Sequence, residues 1–312
     1  MNNKKVIDFK DGDSIDQPLM VFSALKCVTN QGLTYLNLDL RDSSGAINAK
    51  KWEVTASDEE LFKKGNVVMI EGSVIMYRNA LQLKVLSAVK LNDNEYNIND
   101  FVKASPVDYE KLMEDFTYYR NQIIDDDLNN IVDYILKKRG DKYFTHPGGI
   151  SIHHDYQSGL LHHTVSMLHH AEYLMDFYGD FDKELVYSAI ILHDVDKTVE
   201  IEGSVAYQRS VEGNLIGHLP MGYAEVNEAA TILNISGEKV TLLEHMILAH
   251  HGKPEYGSPV LPMTKEAMLV NFVDNIDCYM NIAIKATQNL EEGTFSDKIF
   301  ALEGRQLYKP KK

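Results

Sequence analysis

The histidines of this chain have an uneven distribution. All 12 lie between His146 and His251, and the first 145 residues contain none. One of them, His193, directly precedes Asp194 at the end of the apolar segment VYSAIIL. Burying an imidazole or a carboxylate without a partner is costly, so each of these groups needs one. The alternative is a helical domain that is merely rich in histidine, but the pattern favours metal binding or acid–base chemistry in the second half of the chain.

Further metal-ligand candidates surround this pair in the sequence. They are His162 and His163 in LLHHT, His218 in GHLPMG, His245, His250 and His251 in EHMILAHHG, and Asp274 in the apolar run LVNFVDNI. A mixed set of His and Asp without Cys suits divalent Mn, Fe, Co, Ni or Zn. A carboxylate can bridge two ions, and two ions ~3.5–4 Å apart can activate water and stabilise both oxygens of a phosphoryl displacement.

Composition excludes several classes of protein. The 312 residues are enough for two domains, and the net charge of −15 argues against a protein that coats nucleic acid electrostatically. Residues 1–90 have a charge balance of +1, whereas residues 91–312 have −16. No apolar run approaches the ~18 residues of a membrane span. The N-terminal residues lack the apolar region of a signal peptide, and two distant cysteines suggest reduced thiols, so we expect a cytoplasmic protein with no membrane partner.

Residues 1–90 have the pattern of a small β-barrel. The strand-like segments PLMVFSALKCV, LTYLNLDLR and AINAKKW come first. SDEELFKK then reads as a short helix with Ser57 as its N-cap and Glu60 at the capping-box position. Two more strand-like segments, GNVVMIEGSVIMY and ALQLKVLSAVKL, follow. Three strands, a helix and two strands is the order of an OB-fold barrel, with another small barrel as the alternative. We predict an OB-fold nucleic-acid-binding domain over residues 1–90.

Helical periodicity dominates the rest of the chain. Residues 91–108 are polar and contain Ser-Pro, which favours a linker. From Tyr109 onward apolar residues recur at helical spacing, as in KELVYSAIILHD, AEVNEAATILNI and TKEAMLVNFVDNID, up to a short basic tail, YKPKK. The predicted fold is therefore a multidomain α and β protein, with an N-terminal OB-fold barrel and an all-α helical bundle over residues 109–312.

One face of the predicted barrel suits a single nucleic-acid strand. Strand alternation places Tyr35 and Arg41 on the outward face of the second strand and Lys50 and Trp52 on that of the third. Aromatic rings that stack bases and cations that follow the backbone are what such binding requires. Arg78, in the last hairpin, is a candidate phosphate contact. The alternatives are that Trp52 packs the barrel and that Arg78 is only a solvated turn residue.

The order of ligand candidates in the second half resembles that of a known family. His163, then His193-Asp194, then Asp274 is the order H…HD…D of HD-domain phosphohydrolases. The segments HHDYQSGLLHHT, LHDVDK, EGNLIGHL, HMILAHHG and EAMLVNFVDNID together resemble the YhaM-type 3'-5' exoribonucleases, which join an OB-fold to an HD domain. The resemblance implies a Mn-dependent hydrolase that trims RNA, and sometimes single-stranded DNA, from the 3' end and releases nucleoside 5'-monophosphates.

The resemblance also implies roles for individual residues. The core metal ligands would be His163, His193, Asp194 and Asp274, and the additional ligands of a two-metal site would be His218, His250 and His251. Asp194 and Lys197 would be catalytic, with Lys197 meeting the phosphate. His153 and His154, just before the first ligand helix, are candidate substrate contacts. Asp277 is expected beside the ligands, and His245 stays open because it lies five residues before His250.

One position departs from the family motif H-D-[IV]-G-K, because Asp196 stands where the glycine is usual. An added carboxylate there either disfavours an anionic substrate or serves as a ligand or proton acceptor. The departure leaves the metal preference open.

The function predicted from the sequence is a metal-dependent 3'-5' exoribonuclease. It would use two divalent ions, Mn²⁺ by the resemblance, and metal-activated water to hydrolyse single-stranded RNA or DNA. Homo-oligomer formation stays open. One alternative is an HD phosphohydrolase for small nucleotides, in which the barrel regulates activity. The other is a nucleic-acid-binding protein with a degenerate metal site.

Overall fold

The computed structural model describes residues 4–29, 31–78, 80–103, 105–150, 154–203 and 207–311. The chain divides into two compact units, one made by residues 1–104 with 203–208 and the other by residues 105–202 with 209–312. Each unit has its own hydrophobic core. No helix within the described ranges is long and apolar enough to cross a membrane. The predicted domain and linker boundaries at residues 90 and 108 stay a prediction.

The first unit is a closed five-stranded barrel. Its strands are β1 (Ser14–Val28), β2 (Thr34–Asp42), β3 (Gly45–Trp52), β4 (Val67–Tyr77) and β5 (Ala80–Lys90), with α1 (Ala56–Leu61) between β3 and β4. They are hydrogen-bonded in the order β1-β2-β3-β5-β4, and only β3 and β5 are parallel. The long strand β1 closes the barrel because it pairs with both β2 and β4. This confirms the predicted OB-fold architecture.

Strand alternation separates the barrel core from its outer face. Leu36, Leu38 and Leu40 of β2 are buried, while the residues between them are only half-buried. The helix α1 begins earlier than predicted, because its N-cap is Thr55 and not Ser57. Thr55 accepts a bond from the Asp58 amide, and the Asp58 carboxylate accepts one from the Thr55 amide. This reciprocal capping box explains why the earlier start is the more stable one.

The polar segment after β5 is anchored to the barrel. Phe101 and Val102 are buried in a small cluster with Met20 and Val67. Two apolar side chains among many polar ones are a weak sequence signal, yet they fix the segment to the first unit.

The second unit is helical. Its helices are α2 (Tyr109–Arg120), α3 (Asp126–Arg139), α4 (Asp141–Thr145), α5 (Gly159–Tyr178), α6 (Lys183–Leu192), α7 (Lys197–Glu200), α8 (Val211–Leu215), α9 (His218–Leu233), α10 (Glu238–Ala249) and α11 (Lys265–Gln288). The two-residue strands β6 (Ile201–Glu202) and β7 (Gln208–Arg209) follow α7. All of residues 185–192 on α6 are buried, and α3, α5, α10 and α11 pack around this helix. The all-α prediction for the bundle is confirmed apart from these short strands, and α6 delivers His193 and Asp194 to its centre.

The chain after α11 folds back as a hairpin, here called the C-terminal hairpin (residues 293–309). Isolated bridges join Phe295 to Tyr308 and Ile299 to Arg305. The Lys309 ammonium group donates to the carbonyls of Gln288 and Leu290, at 3.2 and 2.7 Å, near the end of α11. The basic residues at the end of the chain therefore include one that anchors this hairpin.

Candidate metal centre

Five helices position the seven predicted metal ligands. His163 lies on α5, His193 and Asp194 follow α6, His218 is the first residue of α9, His250 and His251 follow α10, and Asp274 lies on α11. The structure brings all seven together, and six of them are buried. They come from segments more than a hundred residues apart, so only the helix packing makes them neighbours.

Asp194 lies at the centre of this group, and its two oxygens face different imidazoles. Its Oδ2 is 3.1 Å from His193 Nε2 and 3.7 Å from His163 Nε2. Its Oδ1 is 3.3 Å from His218 Nε2 and 3.7 Å from His250 Nε2. The carboxylate thus stands between two sets of candidate ligands, and each of its oxygens is available to a different set.

Two of the imidazoles are fixed by the helices that precede them. His193 Nδ1 donates to the Ile190 carbonyl at 2.7 Å, and His250 Nδ1 donates to the Ile247 carbonyl at 2.7 Å. Each ring therefore binds a carbonyl of the last turn of its own helix, where carbonyls lack helical partners. Since a carbonyl only accepts, Nδ1 holds the proton and the neutral ring presents the Nε2 lone pair to the site.

Three more imidazoles are held by groups from other segments. His163 Nδ1 donates to Asp277 at 2.6 Å, His218 Nδ1 to Glu200, and His251 Nδ1 to the Tyr256 carbonyl at 2.8 Å. Sequence reasoning missed Glu200 and Tyr256, because no spacing rule links them to the rings that they hold. Asp277 gives a weak signal, since it lies one helical turn after Asp274 on α11.

The donor set fits divalent cations. His218 Nε2 and His251 Nε2 lie 3.4 Å apart, yet both rings hold their protons on Nδ1, so two lone pairs face each other. In the described part of the chain, Asp194 Oδ1 and His250 Nε2 are buried without a hydrogen-bond donor. Ligands bound at ~2.0–2.2 Å around one ion are separated by roughly 3.0–3.5 Å, which matches these spacings. A buried group of unsatisfied acceptors is what a cation would complete.

Local charges prepare the site for a cation. Burial would raise the pKa of Asp194, but His193 and Lys197 hold it well below its ordinary value. Burial lowers the pKa of His250 far below 6.5, which keeps that ring neutral. Burial would also lower the pKa of His163, but the Asp274 and Asp277 carboxylates raise it to about 10. The two carboxylates thus oppose the effect of burial on His163, and a bound cation would compete with a proton for its Nε2.

Lys197 lies at the edge of the ligand group. Its Nζ is 2.6 Å from Asp194 Oδ2, and it lines a cavity together with Asp274. Burial would lower the pKa of Lys197, but the Asp194 carboxylate raises it above its ordinary value. The lysine is therefore a fixed positive charge beside the candidate metal centre.

Asp196 forms an ion pair outside the candidate ligand groups. It is buried and paired with the Arg139 guanidinium, which also binds Glu225 at 2.7 Å. Burial raises the pKa of Asp196 to about 6, partly offset by Arg139. Among the described residues it belongs to none of the candidate ligand groups. The carboxylate that departs from the family motif thus joins an ion-pair cluster beside the centre.

The structure buries His154, whose predicted contact with nucleic acid stays a prediction. His154 is only 1% exposed; its Nε2 is 2.6 Å from Asp277 Oδ2 and its Nδ1 is 2.7 Å from the Tyr156 hydroxyl. Because it is enclosed and hydrogen-bonded at both ring nitrogens, His154 helps to hold Asp277, the partner of His163. His153 lies outside the described residues. His245 accepts a hydrogen bond from the Met263 amide at 3.0 Å and lies outside the ligand groups.

The predicted strand-binding face of the barrel holds an aromatic pair. Tyr35 and Trp52 are directly paired across β2 and β3, with ring centroids 4.7 Å apart. Lys50 Nζ lies 4.9 Å from the Tyr35 ring centroid. Trp52 remains 37% exposed, so it does not pack the barrel interior. An exposed, paired aromatic surface beside a cation can stack a base.

The two predicted arginines lie on different parts of the barrel. The Arg41 guanidinium lies over the Phe22 ring at 4.4 Å and is half-buried. Arg78 is exposed in the turn after β4, where its positive φ of 50° fits a tight hairpin connection, and its guanidinium is 5.3 Å from the Tyr77 ring. Only Arg78 is thus freely presented to solvent.

Comparisons with known proteins agree with both units. The OB-fold nucleic acid binding domain family matches residues 23–91, and the HD domain family matches residues 160–278. Among solved structures, the second OB-fold domain of replication protein A from Methanococcus maripaludis is 22% identical. That match covers 29% of this chain and 96% of that chain, with a TM-score of 0.25.

Curated relatives extend the likeness to the whole chain. The 3'-5' exoribonuclease YhaM of Geobacillus sp. (strain WCH70) is 37% identical over 308 residues, which cover 98% of this chain and 95% of that protein. The protein of the same name in Bacillus subtilis (strain 168) is 37% identical over 300 residues, covering 96% of each chain. Since the similarity runs through nearly the full length of both partners, this chain belongs to the YhaM 3'-5' exoribonuclease family.

Proposed function

We propose that this protein is a metal-dependent 3'-5' exoribonuclease that hydrolyses single-stranded RNA, and secondarily single-stranded DNA, to nucleoside 5'-monophosphates. The observation that carries the proposal is the convergence of four imidazoles on the two oxygens of Asp194, with His251 and Asp274 in the adjoining ligand groups. The relatives named YhaM support the reaction class and polarity. The cell compartment we propose is the cytoplasm.

The ligand geometry favours two cations, which we propose to be Mn²⁺. His163, His193 and Asp274 would hold one with Asp194 Oδ2, and His218, His250 and His251 would hold the other with Asp194 Oδ1. When bound, such ions supply Lewis-acid stabilisation and an activated water. Asp194 is common to both sets, so its loss removes a ligand from each.

Other residues of the chain orient the ligands and the substrate. Asp277, Glu200 and the Tyr256 carbonyl fix the imidazole tautomers, which keeps each Nε2 aimed at the centre. Lys197 would bind a non-bridging oxygen of the scissile phosphate and offset the charge that develops there. The Tyr35–Trp52 pair with Lys50 would hold the strand on the barrel.

The experiment is an assay of purified full-length protein with 5'-labelled RNA and Mn²⁺, Mg²⁺, Co²⁺ or Zn²⁺. We expect Mn²⁺-stimulated shortening from the 3' end with mononucleotide release. RNA that ends in a 3'-phosphate should resist degradation, whereas RNA blocked at the 5' end should not. Equal degradation of both substrates would contradict the polarity, and hydrolysis of free nucleotides alone would favour the small-nucleotide phosphohydrolase.

A further inference from the structure

A cavity of about 330 Å³ adjoins the candidate metal centre. Its lining includes the charged side chains Lys197 and Asp274 and also Tyr256, Tyr279 and Ala301. Its volume is at the lower end of the roughly 300–1,000 Å³ found for small-molecule sites. The cavity thus combines charged side chains with aromatic and aliphatic ones. A nucleotide has a matching combination, a charged phosphate and an aromatic base.

Both tyrosines are held on segments that also carry metal ligands. The backbone carbonyl of Tyr256 accepts the hydrogen bond from His251 Nδ1 at 2.8 Å, while its side chain lines the cavity. Tyr279 lies on α11, five residues after Asp274. Burial raises the pKa of the Tyr279 phenol, and the neighbouring Tyr256 adds to this effect. Tyr279 therefore neighbours Tyr256, and both line the same cavity as the ligand Asp274.

The C-terminal hairpin provides the wall behind this cavity. Its tip, Phe300–Leu302, places Ala301 on the lining. Next to the tip, Glu303 pairs with Arg305 at 2.9 Å and lies 3.5 Å from the Tyr256 hydroxyl. The hairpin follows the last residue, 278, of the HD domain match. A segment beyond the common helical domain thus completes the cavity.

We propose that this cavity is the subsite for the base and ribose of the 3'-terminal nucleotide, with Tyr256 and Tyr279 contacting the base and Ala301 of the hairpin closing the far side. The inference deepens the proposed exoribonuclease function and rests on it. Stacking on aromatic rings accepts every base, since each has a π-face. Asn275 also lines the cavity, and one N–H of its amide donates to the Asn271 carbonyl at 2.7 Å. The subsite therefore selects a nucleotide with little preference among bases.

The test compares AMP with ribose 5-phosphate, which lacks the base, as ligands of Mn²⁺-loaded full-length protein by titration calorimetry. Stacking is worth ~1–3 kcal/mol per base, so AMP should bind roughly five- to a hundred-fold more tightly. Tyr279→Ala and Tyr256→Ala should each reduce that ratio and leave the affinity for ribose 5-phosphate unchanged. The matched control is Tyr173→Ala, at a 69% exposed position of α5 outside the cavity lining, and it should keep the full ratio.

A second variant tests the hairpin wall directly. Ala301 is exposed, so Ala301→Trp should leave the fold intact while its ring fills part of the cavity. AMP affinity should fall about tenfold with an unchanged melting temperature, because the base loses its space. Three results would overturn the subsite. They are equal affinities of the wild type for AMP and ribose 5-phosphate, no binding of either ligand at millimolar concentration, and an affinity ratio that none of the three cavity variants changes. RNA degradation from the 3' end would then continue to support the proposed function, whereas tight AMP binding without any RNA hydrolysis would refute the function alone.

Discussion

At the scale of single residues, the most informative side chain is Asp194. Its oxygens lie within 3.7 Å of four imidazole nitrogens, and burial leaves its Oδ1 without a donor among the described residues. Because Asp194 would bind both proposed ions, replacing it should lower the metal content and leave the fold intact.

Asp194→Ala should abolish RNA hydrolysis and lower the bound metal below the wild-type stoichiometry. Each proposed ion would lose a ligand, while helix packing around α6 depends on apolar residues that the change leaves untouched. Elemental analysis, circular dichroism and the labelled-RNA assay measure the three quantities. Wild-type metal content together with full activity would contradict the assignment of the site.

Asp196→Gly, which restores the residue usual in the motif, should destabilise the protein without changing its metal content. The change removes one partner of the buried Arg139 guanidinium, but Glu225 remains, so we expect a loss of about 1–3 kcal/mol in the free energy of unfolding. Urea unfolding measures it. The matched variant Asp196→Asn keeps the shape and should cost less. A loss of metal in either variant would show that Asp196 acts as a ligand after all.

His146 should make stability depend on acid pH. Burial lowers its pKa from 6.5 to about 4, so below pH 6.5 the unfolded chain takes up a proton that the folded chain refuses. Its contribution is therefore complete above pH 6.5 and is lost as the pH falls towards 4. Between about pH 7.5 and about pH 5 the wild type should lose about 1–2 kcal/mol more than His146→Gln. Urea unfolding in EDTA, which removes metal effects, measures this difference, and equal losses in both proteins would contradict it.

At the scale of elements, strand pairing on the barrel and helix termini in the bundle do the positioning. The antiparallel register of β2 and β3 sets Tyr35 directly opposite Trp52, and the ends of α6 and α10 aim His193 and His250 through their own last-turn carbonyls. In both units the candidate site residues lie on or at the end of a regular element. The backbone of that element fixes where each side chain begins, and only the choice of rotamer remains.

Trp52→Ala and Tyr35→Ala should each weaken the binding of a long RNA strand by roughly five- to a hundred-fold, since stacking is worth ~1–3 kcal/mol per base. Hydrolysis of a dinucleotide should be nearly unchanged, because the metal ligands lie in the other unit. Fluorescence anisotropy with labelled RNA and kcat/KM on both substrates separate the two effects. Tyr178→Ala, at a 71% exposed position of α5, is the control. Unchanged turnover of long RNA in the barrel variants would favour the small-nucleotide alternative.

At the scale of the whole molecule, the chain combines a nearly neutral barrel with a strongly acidic helical unit, and each has a separate core. Removing metal should therefore affect one unit selectively. An ion present at a hundred times its Kd stabilises the state that binds it by ~2.7 kcal/mol. For a unit of this size that corresponds to a melting-temperature change of about 5–10 °C.

EDTA should lower the helical transition followed by far-UV circular dichroism by this amount. The emission of Trp52, the only tryptophan and a barrel residue, should change much less. Adding Mn²⁺ back should restore the first transition. If the melting temperatures from both signals shift equally, the metal does not stabilise the helical unit selectively. If neither shifts, the folded protein does not bind the metal.

The sequence by itself determined the two architectures and named the seven residues of the candidate centre. Strand alternation in TYLNLDLR and helical periodicity after Tyr109 are local signals, because a side chain's direction follows from its own backbone. The seven ligand candidates followed from the resemblance of their motifs to a known family, since a motif is a string of residue types that can be compared without tertiary information. Local reasoning also misplaced the N-cap of α1, where two neighbouring residues are both good caps.

Only the tertiary structure decided which groups meet. Glu200 beside His218, His154 enclosed against Asp277, Asp196 turned towards Arg139, and a C-terminal hairpin that walls the cavity all depend on how helices pack. These contacts join residues that are distant in sequence or that could face either way. Which of these contacts form is set by the packing of large apolar surfaces, because that packing fixes the position of each polar group.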